Sequence, residues 1–174
     1  MKKLFSVLLL LMVATTSVFA QGTKHKPKPN SERKSPHDTI TANNIKIRYG
    51  RPYKKGREIF GELESYGKVW RAGADEATEI TFDKDCTFGD KKLKAGTYTL
   101  FATPNKTDWT IILNGKLGQW GAFEYDKNKD QNVLQTSVPV KNLDAAVEQL
   151  TMTIKKNGLL IEWDKTSVFV PIKF

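Results

Sequence analysis

From Thr39 onward the chain alternates apolar and polar residues with a period of two, and this limits it more than any other feature. Ile45-Lys46-Ile47-Arg48-Tyr49 alternates cleanly, and Thr78, Ile80 and Phe82 share one face of a second run. A period of two places successive side chains on opposite faces of a strand, whereas an amphipathic helix needs a period near 3.6. Turn signals divide the runs. Gly89-Asp90 separates Cys86-Thr87-Phe88 from Lys91-Lys92-Leu93 as a tight hairpin. Gly96 to Ala102 and Asp108 to Leu113 flank the Pro104-Asn105 turn. Asn132 to Val140 and Val147 to Ile154 follow, and Asn157-Gly158, a strong hairpin dipeptide, leads into Leu159, Ile161 and Trp163. Asp164-Lys165 turns into a last strand, Val168 to Ile172. About nine short strands at such spacing predict an all-β fold, a single antiparallel β-sandwich, jelly-roll-like or barrel-like. Helix is scarce, with one turn expected at Glu58 to Glu64 and one at Asn142 to Val147.

At 174 residues the chain has the length of one domain. Its single Cys, Cys86, excludes a disulfide framework and any multi-thiolate metal centre, and two His leave little for a histidine-rich one. Neither a metal nor a cofactor is expected. Residues 1–20 stand apart from the fold. Lys2 and Lys3 precede an apolar run from Leu4 to Val13, and Val18-Phe19-Ala20 suits signal peptidase. The run is too short to span a membrane comfortably, which takes about 20 residues. The reading is a secretory signal peptide cleaved after Ala20, a periplasmic or secreted destination, and no transmembrane segment in the mature chain.

Residues 21–36 hold three Pro, five basic residues, one acid and no large apolar side chain, the composition of a flexible basic linker. The folding part is then 37–174. The formal charge of +9 falls to +7 when Lys2 and Lys3 leave, and the linker carries +4 of that. A nucleic-acid binder presents its charge on a folded face. Here more than half lies on a tether, so nucleic acid is not an expected partner. The tether offers instead a weak contact to an anionic surface.

Residues 49–78 break the strand pattern. This stretch is too long for a hairpin loop and is rich in Gly. It mixes Arg51, Lys55, Arg57, Arg71, Asp75 and Glu76 with the apolar anchors Ile59, Phe60, Leu63, Val69 and Trp70. Anchors imply that the loop packs down, and packed arginines need carboxylates or an anionic ligand. The run Gly50 to Thr78, followed by Leu93-Lys94-Ala95-Gly96-Thr97-Tyr98 and Trp109 to Asn114, resembles the DUF2911 family. The resemblance spans about residues 35–174. It rests on Arg51-Pro52, Lys55-Gly56-Arg57, Tyr66-Gly67, Trp70-Arg71, Gly73-Ala74, Glu76-Ala77-Thr78 and Ala95-Gly96-Thr97-Tyr98. It implies an exported bacterial protein, mainly of the Bacteroidota, and it carries no function or catalytic residue with it. The chain departs at Asp75, where Asn is commoner; an Asp cannot donate as an amide can.

The ligand-binding candidates are Arg51, Lys55, Arg57, Trp70, Arg71, Glu76 and Trp120. Arginines hold carboxylates and phosphates in bidentate fashion, and Trp120, in a Gly-rich connection, suits stacking on a sugar ring. Arg71 and Glu76 are close enough in sequence to meet as an ion pair, with Arg51 and Arg57 converging on them. An internal charge network that pins the loop explains the same residues. No nucleophile elbow, zinc-binding helix motif or phosphate loop is present, so the sequence leans away from catalysis. The expected function is an exported envelope domain that binds a small anionic or saccharide ligand, or a partner protein, through loop 49–78. The alternatives are a hydrolase of an envelope or extracellular polymer with Glu76 as acid or base, and a structural envelope protein without a pocket.

Overall fold

The computed structural model describes residues 33–174; the expected signal peptide, 1–20, and residues 21–32 of the expected linker lie outside the described residues. Nine strands form one antiparallel sheet that is not closed into a barrel. They are β1 (His37–Ala42), β2 (Ile45–Gly50), β3 (Thr78–Phe82), β4 (Cys86–Phe88), β5 (Lys91–Leu93), β6 (Gly96–Pro104), β7 (Asp108–Asn114), β8 (Asn132–Lys155) and β9 (Gly158–Lys173). Their order across the sheet is β1-β2-β3-β6-β7-β8-β9-β4-β5. The all-β, nine-strand expectation therefore holds.

The alternation fixes which face is buried. Ile45, Ile47 and Tyr49 of β2 and Thr78, Ile80 and Phe82 of β3 point into the core. β6 and β7 depart from strict alternation because both their faces are covered. Leu100, Ala102, Ile111 and Leu113 enter the main core, while Phe101 and Ile112 join a second cluster with Ala77 and Tyr125. Strands covered on both faces read as near-continuous apolar runs, as Leu100 to Ala102 and Ile111 to Leu113 do. Tyr125 comes from a short helix, α1 (Tyr125–Asn128), followed by a single 3-10 turn at Lys129–Gln131.

The two expected helical turns take other forms. Asn142 to Val147 is the corner of β8, where the pairing with β9 shifts register. β-bulges bend a strand in this way, and the single long β8 replaces the two separate strands that the pattern suggested. Glu58 to Glu64 is a wide turn closed by Leu63 N to Glu58 O at 3.4 Å and Glu64 N to Ile59 O at 2.8 Å. The β8–β9 hairpin turns at Lys156-Asn157, one residue earlier than the dipeptide signal implied, and Gly158 already pairs with Lys155. Glycine is required there by a close approach. A Cβ on Gly158 would lie 2.3 Å from the Val170 carbonyl oxygen and 2.5 Å from the Phe169 ring.

An aromatic cluster holds the long loop onto the sheet. Phe60 and Trp70 from the loop pack with Trp109 of β7 and Trp163 of β9. The Phe60 ring centre lies 4.8 Å from Trp109 and 6.1 Å from Trp163, and Trp70 lies 5.8 Å and 6.0 Å from the same two rings. Tilted and edge-to-face contacts dominate, as the ring quadrupole favours. Residues 51–55 are further pinned against β8, through Leu150 N to Pro52 O at 3.0 Å and Lys54 N to Glu148 O at 2.7 Å.

Candidate functional site

Two of the loop's arginines, Arg51 and Arg57, are bonded to the protein itself. Arg51 Nε donates to the Leu150 carbonyl, Nη1 to Asp38 and Nη2 to the Thr151 hydroxyl, each at 3.2 Å. It thereby ties the loop to β1 and β8. Arg57 curls onto its own turn, donating to the carbonyls of Lys54 at 2.9 Å and Tyr53 at 2.6 Å. Lys55 is exposed with a positive φ, at the turn that brings Gly56 round. Trp70 belongs to the core, its indole N–H donating to Gly73 O at 3.2 Å.

The expected Arg71–Glu76 ion pair does not form, because each residue faces another group. Glu76 is held by Arg33, whose Nε lies 3.0 and 3.1 Å from the two carboxylate oxygens and whose Nη2 lies 2.7 Å from Oε1. Beside it, Asp75 accepts from the backbone N–H groups of Lys34 and Ser35 and lies 3.2 Å from His37 Nε2. These contacts clasp the last residues of the predicted linker onto the loop. Asp75 has a φ of 62°, a left-handed conformation that Asp and Asn tolerate best. Its backbone partners are all donors, so an acceptor-only carboxylate serves here. Trp120 lies next to this clasp through a backbone bridge to Glu76, with Gly121 N donating to Asp75 O at 2.9 Å.

Burial raises the Glu76 carboxyl, but hydrogen bonds from Arg33 and its own N–H, with the Arg33 and His37 charges, outweigh it and hold the group below its ordinary value. Asp75 is lowered in the same way, burial being offset by Lys34, His37 and Ser35. A carboxylate held in its ionised form is poorly suited to deliver a proton. Glu64 behaves in the opposite sense. Burial pushes it up to about 7, against the attraction of Arg71 and Arg57. The charges of Arg57 and Arg71 thus act on Glu64, without an ion pair to it among the described residues. Arg71 Nε itself is buried without a hydrogen-bond partner.

Among the concavities of the described surface, one of about 410 Å³ lies beside Cys86, Leu93 and Phe174, and two lie along β8 and β9. The larger, about 1060 Å³, runs along the outer side of β8 and β9 past Pro139, Leu160 and Phe169. Part of its wall is bonded internally, Gly89 N donating to Pro171 O, Thr136 to Asp90 and Lys91 Nζ to Gln135 O, while Thr110, Lys141, Glu162 and Ser167 also line it. The smaller, about 410 Å³, lies where the loop meets the β8–β9 corner. Phe60 lines it, and the Lys54–Asp164 ion pair at 3.0 Å closes one side. Glu58, Tyr66, Asn142, Lys165 and Thr166 also line it. Among the described residues, none of these five side chains has a hydrogen-bond or ion-pair partner. Polar groups that converge on a concave site beside an aromatic side chain are the ordinary make-up of a ligand site.

Of the sequence candidates, only the turn containing Lys55 and Arg57 adjoins this cleft. Asn142 opens the stretch expected to be a helical turn, Lys165 reads as a turn residue and Thr166 carries no signal, so none of the three stands out in the sequence. Tyr66 was visible within the Tyr66-Gly67 pair and gave no sign of its exposure. Cys86 is a buried free thiol, raised by burial and by Asp85. Among the described residues no cluster of His, Cys, Asp and Glu is placed to hold a metal ion, and no helix is long and apolar enough to cross a membrane.

No curated protein and no solved structure matches this chain. One protein family does, a protein of unknown function (DUF2911), over residues 31–172. The match begins just before the Arg33 clasp and takes in all nine strands, the long loop and the cleft. The chain therefore belongs to the DUF2911 family.

Proposed function

We propose that this protein is an exported, non-catalytic binding domain of the bacterial envelope that holds a small polar ligand in the cleft between loop 49–78 and the β8–β9 corner. One observation carries the reading. The loop binds Arg51, Lys54, Arg57 and Glu76 to other protein groups, yet leaves Glu58 and Tyr66 lining a preformed cleft with Asn142, Lys165 and Thr166, whose side chains have no partner among the described residues. A loop locked by an aromatic cluster and by backbone bonds to β8 loses little freedom when a ligand binds, which favours affinity. The N-terminal signal sequence supports export, and the basic linker would keep the domain near an anionic surface.

A thermal-shift screen with sugars, uronic acids, phosphate and short peptides tests this directly. A ligand at 100 times its Kd should add about 2.7 kcal/mol of stability. Asn142→Ala removes an exposed side chain with no internal partner and should abolish that gain while leaving the melting temperature of the free protein unchanged. Arg51→Ala should do the reverse, lowering the melting temperature while the ligand still stabilises. A ligand whose effect disappears in Arg51→Ala or Arg71→Ala and persists in Asn142→Ala would refute the cleft as the site.

A further inference from the structure

We infer that the cleft takes a neutral saccharide, one pyranose ring lying against Tyr66 and its hydroxyls meeting Glu58, Asn142, Lys165 and Thr166. This rests on the binding reading above and narrows it from a small polar ligand to one chemical class. The cleft contains Lys54 and Lys165 on one side of the charge balance and Glu58 and Asp164 on the other, so its lining carries no net charge. Lys54 is already neutralised by Asp164, which also receives the Ile59 N–H at 3.4 Å. A phosphate or uronate brought to Lys165 would share the cleft with the Glu58 carboxylate, and like charges side by side act against binding.

What remains is a mixed set of hydrogen-bonding groups. Glu58 only accepts, Lys165 only donates, and Asn142, Thr166 and Tyr66 do both. Sugar hydroxyls each donate and accept, so they can satisfy every member of such a set at once. The aromatic surface supplies the second half of the argument. Tyr66 lines the cleft and is 38% exposed. Its position is nonetheless fixed, because its ring packs on Gly61 so closely that a Cβ there would lie 2.9 Å from a ring carbon. Gly61 has a φ of +108°, so an L side chain is excluded twice over. A part-exposed ring packed on Gly61 is a preorganised platform for the apolar face of a sugar, and Phe60, which also lines the cleft, is fixed in the tryptophan cluster. A volume of about 410 Å³ lies within the range of small-molecule sites.

The test is calorimetric or NMR titration of the protein with xylotriose, cellotriose and chitotriose, beside trigalacturonate, inorganic phosphate and glutamine as a zwitterion. Binding of at least one neutral trisaccharide is expected, weakened about ten-fold or more by Tyr66→Ala and by Asn142→Ala and retained in Tyr66→Phe. Should Tyr66→Ala fail to fold, Asn142→Ala and Tyr66→Phe still decide the matter. Trigalacturonate, phosphate or glutamine binding in preference, with the same sensitivity to Asn142→Ala, would overturn the neutral saccharide and leave the cleft standing. No binding by any of the six at roughly 10 mM, or binding indifferent to Tyr66 and Asn142, would overturn the cleft reading as well.

Discussion

Replacing Glu64 by Gln should stabilise the protein, by an amount that grows from about pH 4.5 and is complete above about 7. Glu64 follows the wide turn that begins at Glu58, and its backbone is bonded on both sides, Glu64 N to Ile59 O and Gly61 N to Glu64 O. The carboxyl therefore cannot retreat far into solvent. Burial lifts it to about 7, while Arg71 and Arg57, the charged groups acting on it, pull the other way. The sign follows from linkage. A carboxyl raised in the folded state favours folding when protonated and opposes it when ionised. Below pH 4 both states are protonated and the substitution has little effect. Between the ordinary value of 4.5 and about 7 the unfolded chain ionises first, and the folded state loses ground until the loss levels off above pH 7. At about 1.4 kcal/mol per pH unit the full penalty would approach about 3 kcal/mol. The side chain is only half-buried, so water screens it, and about 1 to 2 kcal/mol is the reasonable magnitude. For a domain of this size that is a rise in melting temperature of about 3 to 6 °C at pH 8. Thermal melts of the wild type and Glu64→Gln at pH 4, 6 and 8 read the effect. A variant less stable than wild type at pH 8 would show that the attraction to Arg71 outweighs burial, and the reasoning would fail.

The clasp makes a prediction of opposite sign. Asp75 and Glu76 are lowered in the folded state, so their contribution is complete above the ordinary carboxyl range and is lost as pH falls through their folded values. Arg33→Ala should cost about 1 to 2 kcal/mol at pH 7 and progressively less in acid, measured by urea unfolding across that range. Phe60→Ala removes the centre of the aromatic cluster and should cost about 3 to 5 kcal/mol, read from the same urea curves. Gly158→Ala should be destabilising although its φ is ordinary, because the new methyl meets the Val170 carbonyl; a melting temperature equal to wild type would show that the hairpin tip yields.

The strands were legible because their signal is local. Ile45, Ile47 and Tyr49 announce a buried face within five residues, and Gly89-Asp90 closes its hairpin between Cys86–Phe88 and Lys91–Leu93 as read. The loop's attachment was legible in kind, since Phe60 and Trp70 are large apolar side chains that had to find a core. Its charge partners were not. Arg33 meets Glu76 across 43 residues and Arg51 meets Leu150 across 99, separations that no spacing rule reaches. Arginine is also ambiguous by chemistry, because a guanidinium satisfied by backbone carbonyls, as in Arg57, looks in sequence like one awaiting a ligand. The cleft was hidden for a further reason. It exists because β8 and β9 bend together near Asn142 and Asp164, where the pairing shifts register, and bulges of this kind leave only faint marks in a sequence. Asp164, with a φ of 52°, is the nearest thing to such a mark; the expected turn into a separate last strand is instead a left-handed residue within the continuous β9.

The most direct test of the central claim is a residue-resolved NMR titration with a neutral trisaccharide. The account predicts that amide shifts cluster at Glu58, Phe60, Tyr66, Asn142, Lys165 and Thr166, while the signals of Arg51, Arg71 and Glu76 stay in place. Shifts concentrated at Arg71 and Glu76, or along the groove at Leu160 and Phe169, would contradict it and move the site to another face of the molecule.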